Sequence, residues 1–95
     1  MSQSRPRILV IEDELSQVAL LRFNLAKQGF EVEVKCDGED GLIAAQENAL
    51  DLILLDWMLP SMPGVEVCRR LRRDKATRKI PIIMLTARSE ERDKV

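Results

Sequence analysis

The chain has 95 residues, 45% of them apolar and 33% charged, the make-up of one globular domain with room for a single core. Fifteen basic and 16 acidic residues leave a formal net charge of -1, which excludes a global field for nucleic acid or an anionic membrane. The absence of histidine, and two cysteines (Cys36 and Cys68) without CxxC spacing, exclude the common zinc patterns and any Ser-His or Cys-His catalytic pair.

The N-terminal MSQSRPR has no apolar segment behind its charges, and no apolar stretch approaches about 18 residues, so neither a signal peptide nor a membrane span is expected. A cytoplasmic location with reduced thiols follows as the default. The first element, RILVI (Arg7 to Ile11), is a continuous apolar run that reads as a strand buried on both faces and ends at Glu12-Asp13-Glu14. Val18, Leu21 and Leu25 then recur at helical spacing over Leu15 to Gln28, and Gly29 stops the pattern as a C-cap residue would. FEVEV (Phe30 to Val34) alternates apolar and acidic positions, as a strand nearer a sheet edge does. Asp37-Gly38 opens a second helix that runs to about Asn48, with Leu42 and Ala45 among its inward positions.

DLILLD (Asp51 to Asp56) is the second fully buried strand, and WMLPSMPG is its loop, punctuated by Pro60, Pro63 and Gly64. A helix follows with Val67, Cys68 and Leu71 inward and arginines outward. IPIIMLTA (Ile80 to Ala87) is the third buried strand, and RSEERDKV reads as the first turns of another helix with Ser89 as N-cap. Each strand-helix unit takes roughly 20 to 30 residues, the length of a right-handed crossover, so a doubly wound parallel α/β sheet is expected. Such folds bind ligands outside the carboxyl ends of their strands, where the strand order reverses.

Glu12 and Asp13 fall at the carboxyl end of the first strand and Asp56 at that of the third. If those strands are neighbours, three carboxylates converge, and unpaired they would repel until one is driven toward protonation. Mg2+ removes that conflict, taking carboxylates, waters and phosphate oxygens in octahedral geometry. Thr86 ends the fourth strand at the same level with a hydroxyl for an anion held there, and small Ala87 allows close approach to its backbone N–H. Taken singly, each acid reads first as a solvated turn residue or helix cap; three acids and a threonine at the strand ends of one sheet favour the site. Trp57 is equally read as loop packing and Met58 as core filling, although the Met58 carbonyl can serve a metal whatever its side chain does.

ILVIEDE, LILLDWMLPSMPG and IPIIMLTA resemble three signature segments of response-regulator receiver domains, in matching order and spacing along essentially the whole chain. The resemblance implies a flavodoxin-like (CheY-like) sheet of order 2-1-3-4, with the family's fifth strand and helix missing, so that residues 1–95 form a receiver domain incomplete at its C-terminus. It implies that Asp56 is the phospho-acceptor, that Glu12, Asp13, Asp56 and the Met58 carbonyl hold Mg2+, and that Thr86 is the switch hydroxyl. The Ala87 N–H would then face the phosphoryl group. DWMLP and Glu12 are most similar to the OmpR/PhoB class, in particular the phosphate-regulon regulators. The implied partner is a sensor histidine kinase, the implied output transcriptional, and the implied chemistry limited to the domain's own phosphorylation and dephosphorylation. The lysine that the family places after its fifth strand, and the aromatic that moves with the threonine, are absent from the 95 residues. An exposed fourth strand is expected to favour self-association or domain swapping.

Three other readings compete with the switch. A degenerate receiver would act only as a metal-binding, interaction or dimerisation module. CRRLRRDKATRK (Cys68 to Lys79) carries seven basic residues but no base-reading motif, which fits a solvated or docking helix face; DNA binding is expected only through a separate domain. An aspartyl-phosphate phosphatase needs a second acid two residues after its nucleophile, where this chain has Met58.

Overall fold

The computed structural model describes residues 5–85, which form four strands and three helices. Strands β1 (Arg7–Ile11), β2 (Glu31–Lys35), β3 (Leu52–Asp56) and β4 (Ile82–Leu85) pair in parallel in the order β2-β1-β3-β4. Helices α1 (Leu15–Lys27), α2 (Gly38–Glu47) and α3 (Gly64–Arg73) make the crossovers. The expected order is therefore found, with β1 and β3 side by side in the register Ile8↔Leu52 to Ile11↔Leu55.

Alternation along β1 divides the core in two. Leu9 and Ile11, with Ile53 and Leu55 of β3, face α2 and α3 and pack on Ala44, Ala45, Val67 and Leu71. Ile8, Val10 and Leu54 face the other way, toward Leu21 and Leu25 of α1. This second layer is thinner. Val18, Leu21 and Leu25 occupy the predicted inward positions of α1 but are only half-buried, and Leu15, Leu20 and Phe23 are exposed. On α3, Val67 and Leu71 are buried and Cys68 half-buried, as their spacing requires.

Of the boundaries that differ from the pattern, two strand starts do so because a polar main-chain group is already engaged. Phe30 closes α1: its N–H donates to the Leu25 carbonyl at 3.1 Å while the Gly29 N–H donates to Ala26 at 3.0 Å, with Gly29 at φ 93°. That is a Schellman cap, so β2 starts at Glu31. Ile80 is drawn into the α3–β4 turn, its N–H donating to the Thr77 carbonyl at 3.0 Å and its carbonyl accepting from Arg72 Nη1 at 2.9 Å. Pro81 has no N–H to give, and β4 starts at Ile82. The predicted extension of this strand through Thr86 and Ala87, and the helix capped by Ser89, lie outside the described residues.

Candidate metal and phosphoryl site

Parallel pairing brings the carboxyl ends of β1, β3 and β4 to one edge of the sheet. Glu12 stands one step beyond the Ile11↔Leu55 pair, level with Asp56, and Asp56 itself pairs with Leu85. The position of Glu12 is fixed by its N–H donating to the Lys35 carbonyl of β2 at 3.0 Å. Its side chain turns back to accept the Glu14 N–H at 3.1 Å on Oε2. Glu12 and Asp56 are buried, 5% and 8% exposed, beside an exposed Asp13. One carboxylate oxygen from each of the three lies within 4.8 Å of the others.

After Asp56 the chain turns at once. The Met58 N–H donates to Asp56 Oδ1 at 3.1 Å, holding the carboxylate toward its own loop. The Trp57 N–H donates to the Leu85 carbonyl of β4 at 2.8 Å, and the Trp57 carbonyl accepts the Gly64 N–H at 3.0 Å. Leu59 and Met62 bury their side chains in the α2/α3 core and anchor the middle of the loop. The indole of Trp57 and the side chain of Met58 are about half exposed.

The electrostatics of the cluster are unfavourable without a cation. Burial pushes the Glu12 carboxyl up from 4.5 to about 7; the Glu14 N–H opposes this and the neighbouring Asp56 and Asp13 charges add to it. Burial likewise raises Asp56, against the stabilising Met58 N–H. Among the described residues, no lysine or arginine forms an ion pair with any of the three acids. Three oxygen donors of hard, anionic character on one face fit a small divalent cation that retains several waters.

The cluster thus unites Glu12, Asp13 and Asp56 and places Met58 at its rim, whereas Thr86 and Ala87 lie outside the described residues. The backbone pin from Gly64 was not apparent in the sequence, where Pro63-Gly64 registers only as punctuation; its sole signal is a glycine at the first position of a helix.

The chain belongs to the response regulator receiver domain family, whose model matches residues 8–95. It is 51% identical over 90 residues to the phosphate regulon transcriptional regulatory protein PhoB of Rhizobium meliloti (strain 1021), covering 95% of this chain and 40% of that protein. It is 49% identical over 89 residues to the alkaline phosphatase synthesis transcriptional regulatory protein PhoP of Bacillus subtilis (strain 168), covering 94% of this chain and 36% of the relative. The chain therefore spans less than half the length of these two curated relatives. Among solved structures it is similar to the receiver domain of sensor histidine kinase PA1611 from Pseudomonas aeruginosa PAO1, described with a magnesium ion coordinated in its active site cleft. That likeness has a TM-score of 0.87 and 30% identity, covering 96% of this chain and 75% of that one. Vibrio cholerae chemotaxis protein CheY4 superposes with a TM-score of 0.85 at 30% identity, over 96% of this chain and 76% of its own.

Proposed function

We propose that the chain is the phospho-accepting receiver unit of a transcription regulator, taking a phosphoryl group from a sensor histidine kinase onto Asp56 with Mg2+ bound beside it. The observation that carries this reading is the buried Asp56 carboxylate held at the mouth of a three-acid cluster by the Met58 N–H. Glu12, Asp13, Asp56 and the Met58 carbonyl are the proposed ligands. When bound, Mg2+ supplies charge neutralisation for the acids and for the incoming phosphoryl oxygens. Asp56 is the nucleophile: one carboxylate oxygen forms the new bond to phosphorus as the bond to the donor breaks, and the donor departs with that electron pair. The loose transition state of phosphoryl transfer asks mainly for alignment, and the hydrogen-bonded loop provides it. Thr86 and the Ala87 N–H are proposed to receive the phosphoryl oxygens.

A cytoplasmic location goes with a transcriptional output. Self-association through β4, the terminal strand of the sheet among the described residues, is a further proposed mode of partnering. Light scattering tests it, and a monomer across a concentration series would reject it.

Incubation with Mg2+ and a small acyl phosphate, followed by intact mass measurement, is expected to show one phosphoryl adduct on the chain and none on Asp56→Asn. An adduct of equal yield on Asp56→Asn would move the acceptor elsewhere, and no adduct on the folded native chain would reject the phospho-acceptor reading.

A further inference from the structure

The loop from Trp57 to Pro63 carries the proposed Met58 ligand, and two glycines outside it pack closely against it, one near each end. Gly64, the first residue of α3, donates its N–H to the Trp57 carbonyl at 3.0 Å. A Cβ built on Gly64 would stand 2.9 Å from Trp57 Cα and 3.0 Å from the Trp57 oxygen, and nearer still to the Asp56 carbonyl oxygen. All three are main-chain atoms, so no rotamer change could relieve the overlap. Gly38, the first residue of α2, meets the loop near its other end. A Cβ there would lie 2.7 Å from Val67 Cγ2 and 3.2 Å from the Cβ of Met62, the loop's buried anchor.

We propose that Gly64, backed by Gly38, is a positioning residue for the metal site: the missing side chain lets α3 close on the Asp56–Trp57 peptide and so sets the turn that presents the Met58 carbonyl. The proposal rests on the receiver reading for the identity of the cation. Neither glycine has a side chain with which to ligate an ion. A side chain at position 64 would push the first turn of α3 off the peptide and break the bond to the Trp57 carbonyl. Met58, joined to that carbonyl through its peptide bond, would swing with it, and its N–H holds Asp56 Oδ1. Through one displacement, both the carboxylate and the carbonyl would leave the cation.

The test is calorimetric titration of the chain with Mg2+, run beside a melting curve, for the native sequence, Gly64→Ala, Gly38→Ala and Ile53→Val. Ile53→Val is the control, a core truncation near the start of β3 that removes one buried methylene and lowers stability. Gly64→Ala is expected to weaken Mg2+ binding by about tenfold or more, the range typical of lost outer-shell support. Gly38→Ala should weaken it by less, and Ile53→Val should leave affinity unchanged while lowering Tm. A folded Gly64→Ala with native affinity overturns the proposal, as does an Ile53→Val that loses affinity equally. A native chain that binds no Mg2+ rejects the proposed metal site itself, which separates the two failures. Should Gly64→Ala not fold, amide exchange of the native chain decides the matter. Because coupling is reciprocal, Mg2+ must raise the protection of the Gly64 N–H, and unchanged protection at saturation overturns the proposal.

Discussion

Glu12 and Asp56 are buried carboxylates whose charge no described side chain neutralises, and their protonation therefore opposes cation binding. With Glu12 raised to about 7, Mg2+ must displace a proton below that pH and none above it. Mg2+ affinity is expected to climb as pH rises through about 7 and then level off, measured by Trp57 fluorescence or calorimetry; a flat profile would remove the proton from the site. The stability of the metal-free chain should run the other way. Between 4.5 and about 7, the folded chain holds a proton on Glu12 that the unfolded chain has already released. The native state binds more protons in that window, so stability falls as pH rises through it. Melting in the presence of a chelator, between about pH 5 and about pH 8, checks this sign, and Glu12→Gln should flatten the decline.

Helix ends and turns show where sequence and structure part company at the level of elements. β1 and β3 were legible because a strand buried on both faces is an unbroken apolar run, and Asp37 was legible as the opening of α2. Its Oδ1 accepts the Asp40 N–H at 2.8 Å, and Asp37→Ala is expected to cost about 1 kcal/mol, read as a lower Tm. The starts of β2 and β4 were not legible, since Phe30 and Ile80 are apolar like the inward residues of those strands and only their hydrogen bonds assign them to turns. The α3–β4 connection is tied from within. Buried Thr77 donates its hydroxyl to the Leu71 carbonyl at 2.7 Å, and Arg72 Nη1 reaches the Arg78 and Ile80 carbonyls. Thr77→Val should cost about 1 kcal/mol or more, because it leaves a helix-end carbonyl without its donor; an unchanged melting curve would refute that role. The acids of the site could be placed at strand ends from sequence, but the adjacency of β1 and β3 came with the family resemblance and not from spacing. The role of Gly64 depends on two backbones meeting, which no residue pattern encodes.

At the scale of the whole molecule, a cation held at the three acids as proposed would stabilise the folded chain by mass action. A Mg2+ concentration 100 times its Kd should add about 2.7 kcal/mol to the folded state, lost on chelation and in Asp13→Asn. Melting curves with and without Mg2+ measure it directly. Three of the seven basic residues from Cys68 to Lys79 are already engaged. Arg69 and Arg70 pair with Glu66, Arg72 is spent on carbonyls, and the net charge of the chain is -1. Among the described residues, no helix is long and apolar enough to cross a membrane. One consequence of the site loop concerns heredity. Its geometry is carried by main-chain groups, namely the Trp57 N–H and carbonyl and the Met58 N–H, while the side chains of Trp57 and Met58 stand about half exposed around Asp56. Substitutions of those two side chains alter the exposed face around Asp56 yet leave the main-chain hydrogen bonds in place. Such substitutions can therefore be inherited without disturbing the backbone that holds Asp56, within the same seven residues of chain.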